Sequence, residues 1–145
     1  MFGIETSKDK LLQLKNNYSE LKKEALNISL AEKACDDAWH LIDWVWADEK
    51  QKDSTLTKEN FRIKVYRECP EMKILHDLVN SFKHRNLTNP KVYIKETKIS
   101  PGTFDSSFSK EFDISRLEIH YGDNSNIDLD DLVEIAINYW DNLIK

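Results

Sequence analysis

The feature that constrains this fold most is a segment, residues 29–50, whose apolar side chains cover a wide arc of a helix. Ser29 and Glu32 have the spacing of a capping box, which predicts that the helix begins here. Small and aliphatic residues form the centre of the arc: Ala31, Ala34, Cys35, Ala38, Leu41, Ile42 and Val45. Trp39 and Trp46 extend it at one edge. Such breadth is typical of a helix that is packed from several sides, so the sequence predicts a central helix.

Apolar side chains at three- and four-residue spacing predict helices on both sides of this one. Thr6 or Ser7 caps the first of them, Thr57 caps a short third helix, and Asp128 caps a last helix that runs to residue 145. The first helix carries its apolar residues at Leu11, Leu14, Tyr18, Leu21 and Ala25. These patterns predict an amphipathic bundle.

A fourth helix is predicted to begin with Cys69 as N-cap and Pro70 at the first helical position, and to end near Arg85. Its apolar side carries Ile74, Leu75, Leu78, Val79 and Phe82. Six polar residues gather on the other side: Lys73, His76, Asp77, Asn80, Lys83 and His84. We call these six residues the histidine stripe, and most of the functional evidence in the sequence lies there.

The pattern changes after this helix. Residues 91–99 and 114–121 are rich in β-branched and aromatic residues, which predicts two strands separated by a loop that begins at Pro101. A two-stranded unit is marginal by itself and must pack on the helices. The predicted fold class is mainly α: a four- to five-helix up-and-down bundle with a small β-hairpin inserted before the C-terminal helix, in a single domain of residues 1–145.

Charge is distributed unevenly along the 145 residues, whose net charge is −5. Residues 58–98 contain ten Lys or Arg and five Asp or Glu, a net charge of +5, which leaves 11 against 21, or −10, for the remainder. The basic centre has two interpretations. It is either the ordinary solvation of helix faces or an electrostatic surface for phosphate.

Composition argues against several classes of protein and of site. The two cysteines form no metal-binding spacing, which predicts free thiols in a reducing compartment. No basic segment precedes an apolar run, and no stretch approaches the roughly 18 apolar residues of a membrane span, so we expect a cytoplasmic protein without a membrane partner. With three glycines and no phosphate-binding loop, we expect no cofactor and no metal. Ser106 and Ser107 lack the glycine-framed turn of a serine nucleophile.

His40 is a second candidate residue, since Asp36, Asp37 and Asp43 lie near it on the predicted helix. A histidine among carboxylates suits a metal or acid–base site. The alternative is an imidazole on a solvated acidic helix face, and the sequence favours that alternative because a water-facing helix commonly carries aspartates.

Several segments together resemble a known group of proteins. They are Ala-Trp-His-Leu-Ile-Asp-Trp-Val-Trp at 38–46, Glu-Cys-Pro-Glu at 68–71, Ile-Leu-His-Asp-Leu-Val-Asn-Ser-Phe-Lys-His at 74–84, and the last helix with Asp-Leu-Val at 131–133 and Tyr-Trp at 139–140. This order is similar to that of small bacterial proteins that in turn resemble the HEPN superfamily, helical domains of toxin–antitoxin and antiphage systems. The motif-like part is Asn80-Ser-Phe-Lys-His84.

The resemblance implies metal-independent RNA cleavage at the interface of a homodimer. HEPN nucleases carry an Arg and, about four to six residues later, a His, so that an imidazole moves a proton while a cation stabilises the phosphorane. Carried over to this chain, His84 is the acid–base group, Asn80 its polar companion, and Lys73 or Lys83 the cation, with His76 as the second histidine of the stripe. No Arg stands at that distance before a His here, so lysine takes its place.

The same residues leave other functions open. Asn80 and His84 are alternatively buried residues whose hydrogen bonds hold helices in register. A noncatalytic domain is a further alternative: it binds RNA through Lys73, Lys83 and Arg85, or it binds a protein partner such as an antitoxin through Trp44, the acidic flank or the hairpin edge.

Overall fold

The structure is a computed structural model that describes residues 2–84, 90–100 and 116–144. Within these ranges the helices are α1 (Ser7–Lys23), α2 (Ile28–Lys52), α3 (Lys58–Glu68), α4 (Met72–Lys83) and α5 (Leu129–Leu143). The strands are β1 (Ile94–Ser100), β2 (Arg116–Tyr121) and β3 (Ser125–Asp128). The predicted fold class, mainly helical with a small antiparallel β insertion before the last helix, is confirmed. The predicted loop after residue 100, the start of the second predicted strand and Arg85 lie outside the described residues.

Helices α1 and α3 begin at the predicted caps. Thr6 Oγ1 accepts the N–H of Asp9 at 3.1 Å, and Asp9 Oδ2 accepts the N–H of Thr6 at 2.9 Å, which completes a capping box. Thr57 Oγ1 accepts the N–H of Asn60 at 3.1 Å and caps α3. Both helices therefore begin where a short polar side chain satisfies a free backbone donor.

Helix α2 begins earlier than the capping box at residues 29–32 predicts. Asn27 is the N-cap, and its Oδ1 accepts the N–H of Leu30 at 3.1 Å. Asparagine and serine are both good N-caps, and Asn27 precedes Ser29 by two residues. The structure selects the first, so Ser29 lies inside the opening turn.

Helix α4 is shorter than predicted at both ends. A turn precedes it, in which the N–H groups of Met72 and Lys73 donate to the carbonyls of Cys69 and Pro70, each at 3.0 Å. The helix ends at Lys83, and His84 is extended, with φ −125° and ψ 131°. The histidine stripe is therefore helical only as far as Lys83.

The predicted central position of α2 is confirmed, because α2 contacts α1, α3, α4 and α5. The buried side chains of the helices form one cluster around it. Trp140 of α5 is fully buried and donates its Nε1–H to the carbonyl of Ala38 at 2.8 Å. This bond pairs the indole nitrogen, which would be costly to bury alone, and ties α5 to the middle of α2.

The three strands form an antiparallel sheet in the order β1-β2-β3. Strand β3 was not predicted; it follows the turn at Gly122 and pairs with β2 from Tyr121↔Ser125 to Glu118↔Asp128. Strand β1 contacts α4 and strand β2 contacts α5. The sheet thus extends the bundle at the end of α4, beside the candidate site.

Candidate functional site

Asp77 is a fully buried carboxylate at the centre of α4. Its two oxygens both accept the N–H of Lys91 at 2.8 Å, and Oδ2 also accepts the N–H of Val92 at 2.7 Å. A buried charge needs such donors, because an uncompensated carboxylate in the interior is very costly. Asp77 therefore fixes the point at which the chain returns to α4 before β1.

His76 is held by the two polar neighbours of its ring. Nδ1 lies 2.8 Å from Asp77 Oδ1, and Nε2 lies 3.1 Å from Asn80 Nδ2. An ionised carboxylate only accepts and an amide nitrogen only donates, which assigns the proton to Nδ1 and the lone pair to Nε2. The side chain is 14% exposed. Both nitrogens of His76 are therefore occupied in the folded protein.

Aromatic rings from α2 and α3 surround His76. Trp39 and Tyr66 stack with their ring centroids 6.2 Å apart, and His76 meets Trp39 edge-on at 5.2 Å. The Arg62 guanidinium lies 5.6 Å from the centroid of Trp39. Burial raises the pKa of Tyr66 to about 12. The Tyr66 hydroxyl and Arg62 Nε are buried and lack a hydrogen-bond partner in the part of the chain that the structure describes.

The five predicted site residues separate into two groups. His76 and Asn80 are in contact, as their spacing of four residues on a helix requires. Lys73 is half-buried on the first turn of α4, whereas Lys83 and His84 are exposed at its end. The His84 ring has no hydrogen bond to any described residue, although its N–H donates to the Asn80 carbonyl at 3.0 Å. The structure thus joins the ring of His76 to the Asn80 side chain, whereas the ring of His84 is hydrogen-bonded to no polar group among residues 2–84, 90–100 and 116–144.

Asp77 and the rings around His76 were not among the predicted site residues. Trp39 was expected at the edge of the apolar arc of α2, but nothing in the sequence paired it with Tyr66 or His76. Asp77 was assigned to the polar stripe. Its partners, Lys91 and Val92, are 14 and 15 residues away, and no local pattern gives that pairing.

Cations without an ion pair are concentrated in the basic centre of the chain. Between residues 58 and 98, no ion pair within the described ranges involves Lys64, Arg67, Lys73, Lys83, Lys91, Lys95 or Lys98. Lys58 and Arg62 share Asp43, with Lys58 Nζ 3.2 Å and Arg62 Nη2 4.0 Å from Oδ1. Of the local acids, Asp77 is buried and Glu68 accepts a hydrogen bond from Tyr139. The same range also contains Glu59, Glu71 and Glu96, and its net charge is +5.

The remaining two histidines have different surroundings. His40 is half-buried, and its Nδ1 lies 2.8 Å from the backbone carbonyl of Asp36, one turn earlier on α2. His120 of β2 lies 4.0 Å from Glu118, and its Nε2 is buried without a hydrogen-bond partner among the described residues. The interaction of His40 is thus with its own helix and not with the neighbouring carboxylates.

Two further properties of the described residues bear on the site. Among residues 2–84, 90–100 and 116–144, no group of three or more His, Cys, Asp or Glu is arranged to hold a metal ion. None of the described helices combines the length and the apolar character that crossing a bilayer requires.

The site was also compared with known proteins. The resemblance to the HEPN superfamily, which covers residues from about 30 onward mainly as a pattern and has residues 80–84 as its motif-like part, stays a prediction. Comparisons with models of protein families, with curated proteins and with solved structures found no match to this chain.

Proposed function

We propose that the protein is a HEPN-like domain that binds RNA on the surface formed by α3, α4 and the segment that leads into β1. The observation that carries the proposal is the set of lysines and arginines on α3, on α4 and around β1 that form no ion pair with any described residue. Helix α4 contacts both α3 and β1, so these elements adjoin. Free lysines and arginines on adjoining elements suit a phosphate backbone, whose binding is largely electrostatic.

The proposal is tested by RNA binding across a range of salt concentrations. We expect purified protein to bind a fluorescent single-stranded RNA, with affinity that falls steeply as salt rises. Replacing Lys73 and Lys83 by Gln removes two cations and should lower the salt slope by about 1.4, at about 0.7 per phosphate contact. The matched control replaces Lys15 and Lys23, which are exposed and already paired with Asp141 and Glu20. Equal losses in both double variants would reject this surface.

Metal-independent cleavage by His84 is the second candidate function. Its support is the contrast between the two histidines of the stripe: His76 has partners on both nitrogens, whereas the His84 ring is exposed and unbonded among the described residues. A general acid or base needs an accessible ring nitrogen, which the exposed His84 offers. Lys83 supplies a neighbouring cation. The Asn80 side chain is occupied by His76, so Asn80 contacts His84 only through its backbone carbonyl, which accepts the His84 N–H.

The cleavage candidate is tested with total RNA and tRNA in the presence of EDTA, followed by denaturing gels. Cleavage by wild-type protein that His84→Ala abolishes, with His40→Ala as the control histidine, would support it. Intact RNA in every lane, from folded protein, would reject cleavage, and RNA binding would stay the proposed function.

The proposal also includes an assembly and a location. A homodimer would double the cations around one RNA, and light scattering of the purified chain measures its mass directly. Both cysteines are free and buried, which accords with a reducing cytoplasm. A protein partner such as an antitoxin is the alternative that pull-down experiments would reveal if the chain binds no RNA.

A further inference from the structure

The segment before and at the start of β1 alternates between two environments. In Lys91-Val-Tyr-Ile-Lys95 the first, third and fifth side chains are exposed, whereas Val92 and Ile94 are half-buried and pack against the core. Tyr93 is 68% exposed, which is unusual for a large ring. The segment therefore presents one aromatic ring between two lysines.

The backbone of Tyr93 is in the left-handed region, with φ 55°. Such a conformation is strained for a bulky residue and persists only where neighbouring structure imposes it. Here the constraint comes from both sides. Val92 N–H donates to Asp77 at 2.7 Å, and the Gly122 N–H approaches the carbonyls of Val92 at 3.1 Å and Tyr93 at 3.2 Å. The fold thus fixes the backbone that carries this exposed ring, at the cost of strain.

We propose that Tyr93 is a base-stacking residue for single-stranded RNA, with Lys91 and Lys95 contacting the phosphates on either side of the stacked base. The inference rests on the proposed RNA-binding function and names the feature that the ligand must have, an unpaired base. Aromatic rings interleaved with cations are how proteins bind single strands without reading their sequence. Because the backbone at Tyr93 is already fixed, stacking of a base on its ring orders no further backbone there.

The test is titration of a single-stranded RNA carrying 2-aminopurine, whose fluorescence is quenched by stacking, at several salt concentrations. Tyr93→Ala should weaken binding by roughly 5- to 150-fold without changing the salt slope, because stacking releases no counterions. Tyr93→Trp should keep the affinity and the quenching. Replacing Lys91 and Lys95 by Gln should instead lower the salt slope by about 1.4. The control is Phe2→Ala, since Phe2 is also an exposed aromatic residue with a left-handed φ, 54°.

The outcomes separate the two proposals. If wild-type protein binds no RNA, the proposed function fails and Tyr93 loses its assigned role with it. If wild-type protein binds but Tyr93→Ala binds equally well, or only as weakly as Phe2→Ala does, the stacking role alone is overturned. Thermal unfolding of each variant checks that the substitution removed the ring without unfolding the protein.

Discussion

The Asp77 carboxylate lies 2.8 Å from Nδ1 of His76, its neighbour in sequence, and this contact makes one histidine of α4 structural. The same carboxylate binds the backbone of Lys91 and Val92. One buried charge therefore orients an imidazole and anchors the entry to the sheet. Its two roles give different expectations for substitutions at positions 77 and 76.

Asp77→Ala should destabilise the protein by about 3 kcal/mol, because it removes the fully buried carboxylate that accepts the N–H groups of Lys91 and Val92. Urea unfolding measures the loss. Asp141→Asn serves as the control, since it removes an exposed pair with Lys15 and should cost less than about 1 kcal/mol. Similar losses in the two variants would contradict an anchoring role for Asp77.

The two histidines of the stripe should respond differently to removal. His76→Ala deletes a ring that contacts Trp39 and Tyr66 and bonds to Asp77 and Asn80, and we expect a loss of about 2 kcal/mol. His84→Ala should change stability by less than about 0.5 kcal/mol, as an exposed substitution normally does. Chemical unfolding measures the free energy of unfolding of both variants. A destabilised His84→Ala would show that this ring has a structural role.

Tyr93→Gly should raise the free energy of unfolding by about 1 kcal/mol. Glycine adopts the left-handed backbone without strain, and the exposed ring contributes little burial. If Tyr93 also stacks on RNA, the same substitution should weaken RNA binding, so stability and affinity change in opposite directions. Thermal unfolding and RNA titration of one protein sample measure both. A less stable Tyr93→Gly variant would mean that the ring makes stabilising contacts.

Tyr66 should make the protein less stable in alkali. Burial raises its pKa to about 12 from the ordinary value of 10.0, so the folded state holds the phenolic proton more tightly than the unfolded state does. The resulting stability is complete below the unfolded pKa and is lost as pH rises from there through the folded pKa. Tyr66→Phe should flatten the decline in unfolding free energy between about pH 10 and about pH 12.

Part of that alkaline decline should remain in Tyr66→Phe. Burial also raises the pKa of Tyr18 to about 12, and Tyr18 is unchanged in the variant. At neutral pH the substitution should be neutral or slightly stabilising, since the Tyr66 hydroxyl is buried without a partner among the described residues. An unchanged alkaline slope would assign the decline to other groups.

Local patterns in the sequence were sufficient for most of the fold. Apolar spacing located all five described helices. The wide apolar arc of α2 identified the central one, because a helix that is buried on several sides carries apolar residues on several sides. Strand β3 was missed because Ser125-Asn-Ile-Asp128 has one apolar residue and no alternation to detect. The predicted start of α2 was two residues too late, because Asn27 and Ser29 are both good caps.

The candidate site was less accessible from the sequence. Helical spacing placed His76 and Asn80 on one side of α4, where the structure shows them in contact, but it also placed His84 on that side, whereas α4 ends one residue earlier. The role of Asp77 depends on backbone groups from another segment. Pairings of this kind are decided by tertiary structure, and a periodic pattern carries no information about them.

The bond between Trp140 and Ala38 also has a kinetic consequence. It joins residues 102 positions apart, whereas α1, which packs against the same central helix, is its neighbour in sequence. The side of α2 that packs on α1 can therefore assemble from local contacts. The side that packs on α5 forms only after a long loop has closed. Contacts of such long range slow folding, so this protein should fold more slowly than helical bundles whose contacts are mainly local.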